Sequence, residues 1–370
     1  MMRNLKELVK ASKKIIYLKL LAEVLEFIYL FFRFRVDYFE TSQFLRSRWS
    51  SIEDSLIPME NIRELHPPNT NFFVYNPTVI QKNGKLYFYA RMSNRSYLPR
   101  IDFRGRSKQR NRETKSFDGI CSFNLDIEHC IENFEVLISP SPVPSLQDPK
   151  AFVLNNNEVV LFVNYLIQEP FGSNRITMIR NAYLNTQTMS LKIFDNINYR
   201  NIEKNWIPFK FKDDCLTLLY ESKPLTIIEY NVITNNVVFK KLKSEIEFNY
   251  HGGSQFVEID SNTFVRVARY KFRFPYLGLI SISFIVVHNK ELEIKHISKP
   301  FIFRKFGHEM CNGLTKVNDR LIFAWGEDDY KMFTGSMKIS DFLSWVSDSK
   351  VRNSSNLNIF RRKIAFFERI

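Results

Sequence analysis

The chain has 370 residues, 45% hydrophobic and 25% charged, enough to bury a large core as one big domain or two ordinary ones. Its 53 basic residues against 39 acidic ones leave a formal charge of +14, which attracts phosphorylated sugars, nucleic acid or an anionic membrane surface. No zinc-finger, RNA-binding or helix-turn-helix pattern accompanies that charge, so nucleic acid is not the expected partner. Cys121, Cys130, Cys215 and Cys311 show neither metal-site spacing nor a disulfide framework, so no metal or cofactor is expected and the thiols read as reduced.

Residues 1–50 differ from everything after them. Lys6, Lys10, Lys13 and Lys14 precede an apolar run from Ile15 to Phe34, and Lys19, Glu23 and Glu26 interrupt that run at a cost in hydrocarbon. Leu18, Leu21, Leu25, Ile28 and Phe32 recur at three- and four-residue steps, which predicts a helix. Three placements stay open: packed on the main domain, lying on a membrane surface as a basic amphipathic helix, or spanning a bilayer. The segment lacks the small-residue cleavage pattern of a signal peptide. A cytoplasmic protein, with the arm able to touch the inner face of the membrane, is the expectation.

From residue 70 onward a hairpin pattern recurs five times: an apolar strand, a short polar turn and a second apolar strand. The pairs are Thr78–Lys82 with Lys85–Arg91, Ala151–Leu154 with Val159–Tyr165, Ile207–Phe211 with Leu216–Tyr220, Gln255–Ile259 with Phe264–Arg269, and Leu314–Val317 with Leu321–Trp325. Their turns use Asn83-Gly84, Asn155–Asn157, Asp213-Asp214, Asp260–Asn262 and Asn318-Asp319, residue types that tolerate left-handed backbone. Further strand-like segments follow each hairpin, and 35 phenylalanines fit sheet better than helix. Four-stranded units repeated at this spacing predict an all-β, five-bladed β-propeller, with two stacked β-sandwich domains as the alternative. The last unit has Phe333–Ile339 as its third strand and no clear fourth. A strand from Ile57–Leu65 would complete it and remove an exposed edge. The expected organisation is a helical arm at 1–50, a propeller at 51–346 and a tail at 347–370.

In a propeller the first strand of each blade lines the channel, so residues just before it gather at one mouth. Those positions hold Asn76-Pro77, Asp148-Pro149-Lys150, Glu203-Lys204-Asn205-Trp206, His251-Gly252-Gly253-Ser254, and Gly307-His308 with Asn312-Gly313. Second strands add Arg91, Arg269 and Gly326-Glu327-Asp328-Asp329. Asp148 is the candidate carboxylate for delivering a proton to a leaving sugar oxygen, although an Asp before Pro also caps turns. Asp329 or Asp328 supplies a second acid or holds a sugar hydroxyl. Arg91, Lys204, Arg269 and His251 together form a cationic rim for phosphate, whereas each alone reads as an ordinary surface charge. Trp206 either stacks on a sugar face or packs in the core, and Asn76 either holds hydroxyls or caps a turn.

At these segments, over roughly residues 70 to 346, the chain resembles the five-bladed propeller family of β-mannoside phosphorylases and their relatives, the β-1,2-mannosyltransferases. The resemblance implies inverting transfer of a hexose, commonly mannose, with Asp148 as general acid passing its proton through a sugar hydroxyl. It also implies phosphate contact from Lys204, Arg91 and either His251 or Arg269. The chain departs from the family at Lys150, where arginine is usual, and at the fourth hairpin, where Arg269 or Tyr270 replaces a histidine. The expected function is an inverting glycosyltransferase or glycoside phosphorylase in glycan or glycolipid synthesis. Its partners are a sugar-nucleotide or sugar-phosphate donor and a glycan acceptor, with Asn76, Arg91, Lys150, Lys204, Asn205, Trp206, His251, Arg269, Asp328 and Asp329 contacting substrate. A glycoside hydrolase with two facing carboxylates, or a non-catalytic carbohydrate-binding propeller, are the alternatives.

Overall fold

Alternation of apolar residues with turn-forming Asn, Asp and Gly yields, among the residues that the computed structural model describes, twenty-one strands in five antiparallel sheets. Those residues are 56–68, 71–94, 117–125, 131–141, 145–154, 158–168, 176–194, 206–222, 224–234, 236–243, 251–274, 278–299, 301–304 and 308–348. The predicted helical arm and most of the predicted tail lie outside the described residues. Among the described residues, no helix is long and apolar enough to cross a membrane.

The first strand, β1 (Glu60–Leu65), is set apart from the sheet that follows it. Blade 1 is β2 (Phe73–Lys82), β3 (Lys85–Ser93), β4 (Asp118–Leu125) and β5 (Ile131–Ser141). Blade 2 is β6 (Ser145–Val153), β7 (Val159–Gln168), β8 (Ile176–Asn185) and β9 (Leu191–Ile193), and blade 3 is β10 (Ile207–Lys212), β11 (Cys215–Ser222), β12 (Leu225–Asn231) and β13 (Val237–Lys241). In blade 4 the inner strand is split into β14 (His251–Gly253) and β15 (Val257–Asp260), both paired with β16 (Thr263–Phe274). The blade continues through β17 (Gly278–His288) and β18 (Ile294–Ile297). Blade 5 takes β19 (Glu309–Val317), β20 (Arg320–Glu327) and β21 (Lys331–Lys338) from the far end of the chain. Its outer strand is β1, antiparallel to β21, so both ends of the propeller sequence meet in one sheet. This is the closure expected from Ile57–Leu65, and it removes the edge that β21 would otherwise expose.

The turns explain why the hairpins form where they do. Asn83 and Gly84 have φ of 50° and 75°, Asp213 and Asp214 of 50° and 57°, the left-handed pair that matches strand twist in a two-residue turn. Packing then joins neighbouring blades. One cluster sets Ile80, Tyr89 and Ile120 against Leu146, Ala151 and Leu161, and the next sets Val160 and Phe162 against Trp206, Leu216 and Ile228. Ile207 and Leu219 meet Ala268 and Phe284, Val265 and Val267 meet Leu314 and Phe323, and Leu65 and Ala324 meet Val74 and Val79. Five such interfaces close a ring, and blades buried on both faces account for the continuous apolar runs in the sequence. The short helix α1 (Ile339–Asp348) follows β21 and seats Phe342 and Val346 in the interface of blades 4 and 5. Sequence reading assigned no helix there.

Candidate functional site

Every innermost strand carries a register shift: at Asn76-Pro77 in β2, Asp148-Pro149 in β6, Phe209 in β10, Gly252 next to β16, and Asn312 in β19. A bulge leaves its extra residue unpaired and re-aims that side chain. Asn76 and Asp148 sit in the left-handed region, at φ of 54° and 52°, as do Asp328 and Asp329 in the β20–β21 turn, at 52° and 50°. Asn and Asp tolerate this conformation best among residues with a Cβ, and left-handed non-glycine residues concentrate at functional sites.

Asn76, Asp148 and Asp329 converge. The Asn76 side-chain amide donates to Asp148 Oδ1 at 3.1 Å and to Asp329 Oδ1 at 3.0 Å, tying blades 1, 2 and 5 together. Because one nitrogen holds both, the two carboxylate oxygens are no more than about 6 Å apart. Gly326 makes room for this: a Cβ there would lie 2.2 Å from Asn76 Oδ1. The Asp148 and Asp329 side chains remain 14% and 20% exposed, so solvent reaches both.

Arg91 stands beside Asp148, with Nη1 3.6 Å from its Oδ1. Its own position is fixed by Asp118, a fully buried carboxylate that accepts from Nε at 2.9 Å and faces Nη2 at 2.8 Å. Gln147 Nε2 donates to the other Asp118 oxygen at 2.6 Å, and the guanidinium lies 5.0 Å from the Tyr75 ring centre. Burial works against the Arg91 charge, yet Asp118, with Tyr75, Asp148 and Asp329, outweighs it and holds the guanidinium well above its ordinary value.

His308 approaches Asp329 from the loop before β19, with Nε2 3.9 Å from Oδ1 and Nδ1 bonded to Ser281 Oγ at 2.7 Å. Neighbouring Asp328 has a different task. Its carboxylate accepts from the His308 backbone N–H at 3.3 Å, and its own N–H donates to the His308 carbonyl at 2.7 Å. Glu327, buried one residue earlier, takes a two-point contact from Arg304 at 2.7 Å for each oxygen. The Gly-Glu-Asp-Asp stretch therefore divides into an ion pair, a loop clamp and one carboxylate beside Asn76.

Lys150 and Arg269 are buried near enough to Asp148 to feel its charge, and Arg266 is buried near Lys150. Burial pushes the Lys150 ammonium down to about 8; Asp148 opposes the shift, and Arg269 and Arg266 add to it. Burial also lowers Arg269, against the pull of Asp148 and Asp329. Arg269 Nε and Nη1 have no hydrogen-bond partner among the described residues. Arg266 Nη1 donates to the Gly252 carbonyl at 3.2 Å. Farther along β2, Gln255 reaches from blade 4 to blade 1, donating to the Val79 carbonyl at 2.6 Å and lying 3.2 Å from Thr78 Oγ1.

Of the remaining expected contacts, one takes another role and three are not described at their side chains. Lys204 and Asn205 lie outside the described residues, and of His251 the backbone is described, paired with Arg269. Trp206 is 2% exposed and packs against Phe194 and Tyr220 between blades 2 and 3, so its ring serves the core instead of a sugar face. Sequence reading did not reach Asp118, Ser281 and Arg266, because a polar residue within a strand carries no local mark of what it will meet. Among the described residues no group of three His, Cys, Asp or Glu side chains is placed to hold a metal ion.

A closed five-bladed propeller with a bridged carboxylate pair at one mouth is the class that fold and geometry define. No family model matches the chain, and no curated protein matches it significantly. Among solved structures it is similar to a mannose phosphorylase from Leishmania mexicana in complex with phosphate ion, at 11% identity and TM-score 0.52, covering 82% of this chain and 96% of that one. It is similar also to a β-1,2-mannobiose phosphorylase from Listeria innocua, in complex with β-1,2-mannobiose, at 14% identity and TM-score 0.51, covering 78% and 99%. A glycosyl hydrolase from Bacteroides ovatus stands at 11% identity and TM-score 0.51, covering 78% and 92%. The chain thus has the propeller fold of the β-mannoside phosphorylases, as the sequence motifs implied.

Proposed function

We propose that the protein transfers a hexose, mannose first among them, with inversion between a phosphate-linked donor and a glycan acceptor, and that Asp148 moves the proton. The observation that carries this reading is Asp148 itself: a partly exposed carboxylate on a left-handed bulge, held by Asn76 and flanked by Arg91. In the phosphorolytic direction a phosphate oxygen attacks the anomeric carbon, the glycosidic bond breaks on the opposite face, and the proton from Asp148 passes to the leaving oxygen. In the synthetic direction the carboxylate takes the proton of the acceptor hydroxyl as the phosphate leaves. Arg91 and the buried Lys150, Arg266 and Arg269 supply a positive field that favours the phosphate dianion. Asp329, fixed by the same amide as Asp148, is suited to hold a sugar hydroxyl. Lys204 and the basic arm of residues 1–50 enter on the strength of the sequence alone, the arm suiting an acceptor at an anionic membrane surface.

One observation favours a second reading, hydrolysis. Asp148 and Asp329 form a carboxylate pair whose bonded oxygens lie at most about 6 Å apart, a bound that admits the roughly 5–5.5 Å spacing of retaining glycosidases. The test is product analysis of the full chain incubated with hexose 1-phosphates, sugar nucleotides and manno-oligosaccharides, with and without inorganic phosphate. Transfer predicts a new glycosidic bond or a phosphate-dependent sugar phosphate. Free hexose released without phosphate supports hydrolysis, and no turnover of any donor defeats the enzymatic reading.

A further inference from the structure

Among the described residues, two exposed aromatic rings lie beside the carboxylate pair. Phe73 opens β2 three residues before Asn76 and is 36% exposed, and Tyr330 directly follows Asp329 and is 43% exposed. Their ring centres are 6.1 Å apart, with planes inclined at 50°. The remaining large apolar side chains exposed among the described residues, such as Ile62, Val136, Ile233 and Val238, are aliphatic or methionine. The two exposed aromatics are therefore neighbours, and they sit beside the carboxylate pair.

Both rings are held by backbone that also builds the pocket. Phe73 pairs with Ser93 in the strand that carries Arg91. The Tyr330 N–H donates to the Glu327 carbonyl at 3.0 Å, which fixes the turn presenting Asp328 and Asp329. Gly326 brings that turn against Asn76, so the rings and the carboxylates share one rigid frame.

A pyranose ring has an apolar C–H face bordered by hydroxyls. An aromatic face offers it apolar area and a negative quadrupole, and the Tyr330 hydroxyl adds a hydrogen-bonding group. We propose that Phe73 and Tyr330 form a stacking subsite for the second pyranose ring of a glycan whose terminal sugar reacts at Asp148. This rests on the sugar-transfer reading above. A nucleobase would stack equally well, but it would bring its diphosphate past Asp328 and Asp329, on the turn that carries Tyr330. A neutral glycan avoids that repulsion.

The experiment is calorimetric binding of mannose, a linear β-1,2-linked mannotriose and GMP to the full chain and its variants. Tyr330→Ala and Phe73→Ala should each weaken trisaccharide binding about tenfold, while Tyr330→Phe, which keeps the ring, stays within about twofold of wild type. Ile233→Ala, an exposed apolar residue in the β12–β13 turn, should change nothing. Unaltered trisaccharide affinity in both alanine variants overturns the subsite, as does a loss confined to GMP. A wild-type chain that binds neither mannose nor the trisaccharide defeats the sugar-transfer reading itself, which separates the two failures.

Discussion

Asn76 and Asp329 are separated by 253 positions in the chain, yet the amide nitrogen of one lies 3.0 Å from a carboxylate oxygen of the other. That contact crosses from blade 5 to blade 1, and blade 5 is itself completed by β1 pairing with β21. The site is therefore assembled across the meeting of blades 5 and 1, and Gly326 lies at their close approach.

Replacing Gly326 with alanine places a Cβ 2.2 Å from Asn76 Oδ1 and 2.8 Å from its backbone nitrogen. The backbone atom cannot step aside, so the variant should lose about 1–3 kcal/mol of stability in urea unfolding. Turnover should fall together with stability, because Asn76 is displaced from both carboxylates. Asn76→Ala removes the bridging amide and should lower turnover about a hundredfold, with a stability cost of about 1–2 kcal/mol for an alanine at left-handed backbone.

Asp118 touches Arg91 from a position solvent does not reach. Asp118→Asn keeps the shape but removes the charge facing the guanidinium. It should cost about 2–4 kcal/mol by leaving a buried cation poorly paired, and it should shift Arg91 relative to Asp148. The check is denaturant unfolding together with the phosphate concentration dependence of turnover.

Lys150 gives a pH dependence with a definite sign. Its ammonium is lowered from an ordinary 10.5 to about 8 in the fold, so the folded chain releases this proton earlier than the unfolded one. Between those values the unfolded state binds more protons, and stability rises with pH. Below about 8 both states are charged and the folded state bears the full cost of the buried ammonium. Lys150→Met should raise stability at neutral pH and flatten the rise between about 8 and 10.5, as followed by unfolding midpoints across that range.

Arg304 and Glu327 join the approach to blade 5 to its second strand through two contacts of 2.7 Å, with the guanidinium 4.7 Å from the Phe333 ring centre. Glu327→Gln weakens both contacts at a buried carboxylate. Because Arg304 is partly exposed, the expected loss is about 2 kcal/mol, read from the urea midpoint.

Much of the fold was legible because local chemistry dictates it. Asn83-Gly84 and Asp213-Asp214 mark left-handed turns, and Ile57–Leu65 reads as the strand that blade 5 lacks. Asn76-Pro77 and Asp148-Pro149 were legible as blade entrances because each precedes a predicted inner strand; the structure sets them inside β2 and β6, at left-handed bulges. What a side chain meets across the ring was not legible. Trp206 is compatible with a sugar face until Phe194 and Tyr220 are seen to enclose it. Asp118 looks like any polar strand end until Arg91 arrives from the neighbouring strand. Ile339, Phe342 and Val346 carry helical spacing, but ten residues after a strand repeat are too few to stand out.

Proton transfer at Asp148 is tested most directly by Asp148→Asn in the full chain, with initial rates measured on the donor and acceptor that wild type uses. The predicted result is a loss of turnover of about a thousandfold or more, with the unfolding midpoint and sugar binding retained. An Asn variant that turns over donor at the wild-type rate would contradict it and leave the bridged pair at the mouth without a chemical role.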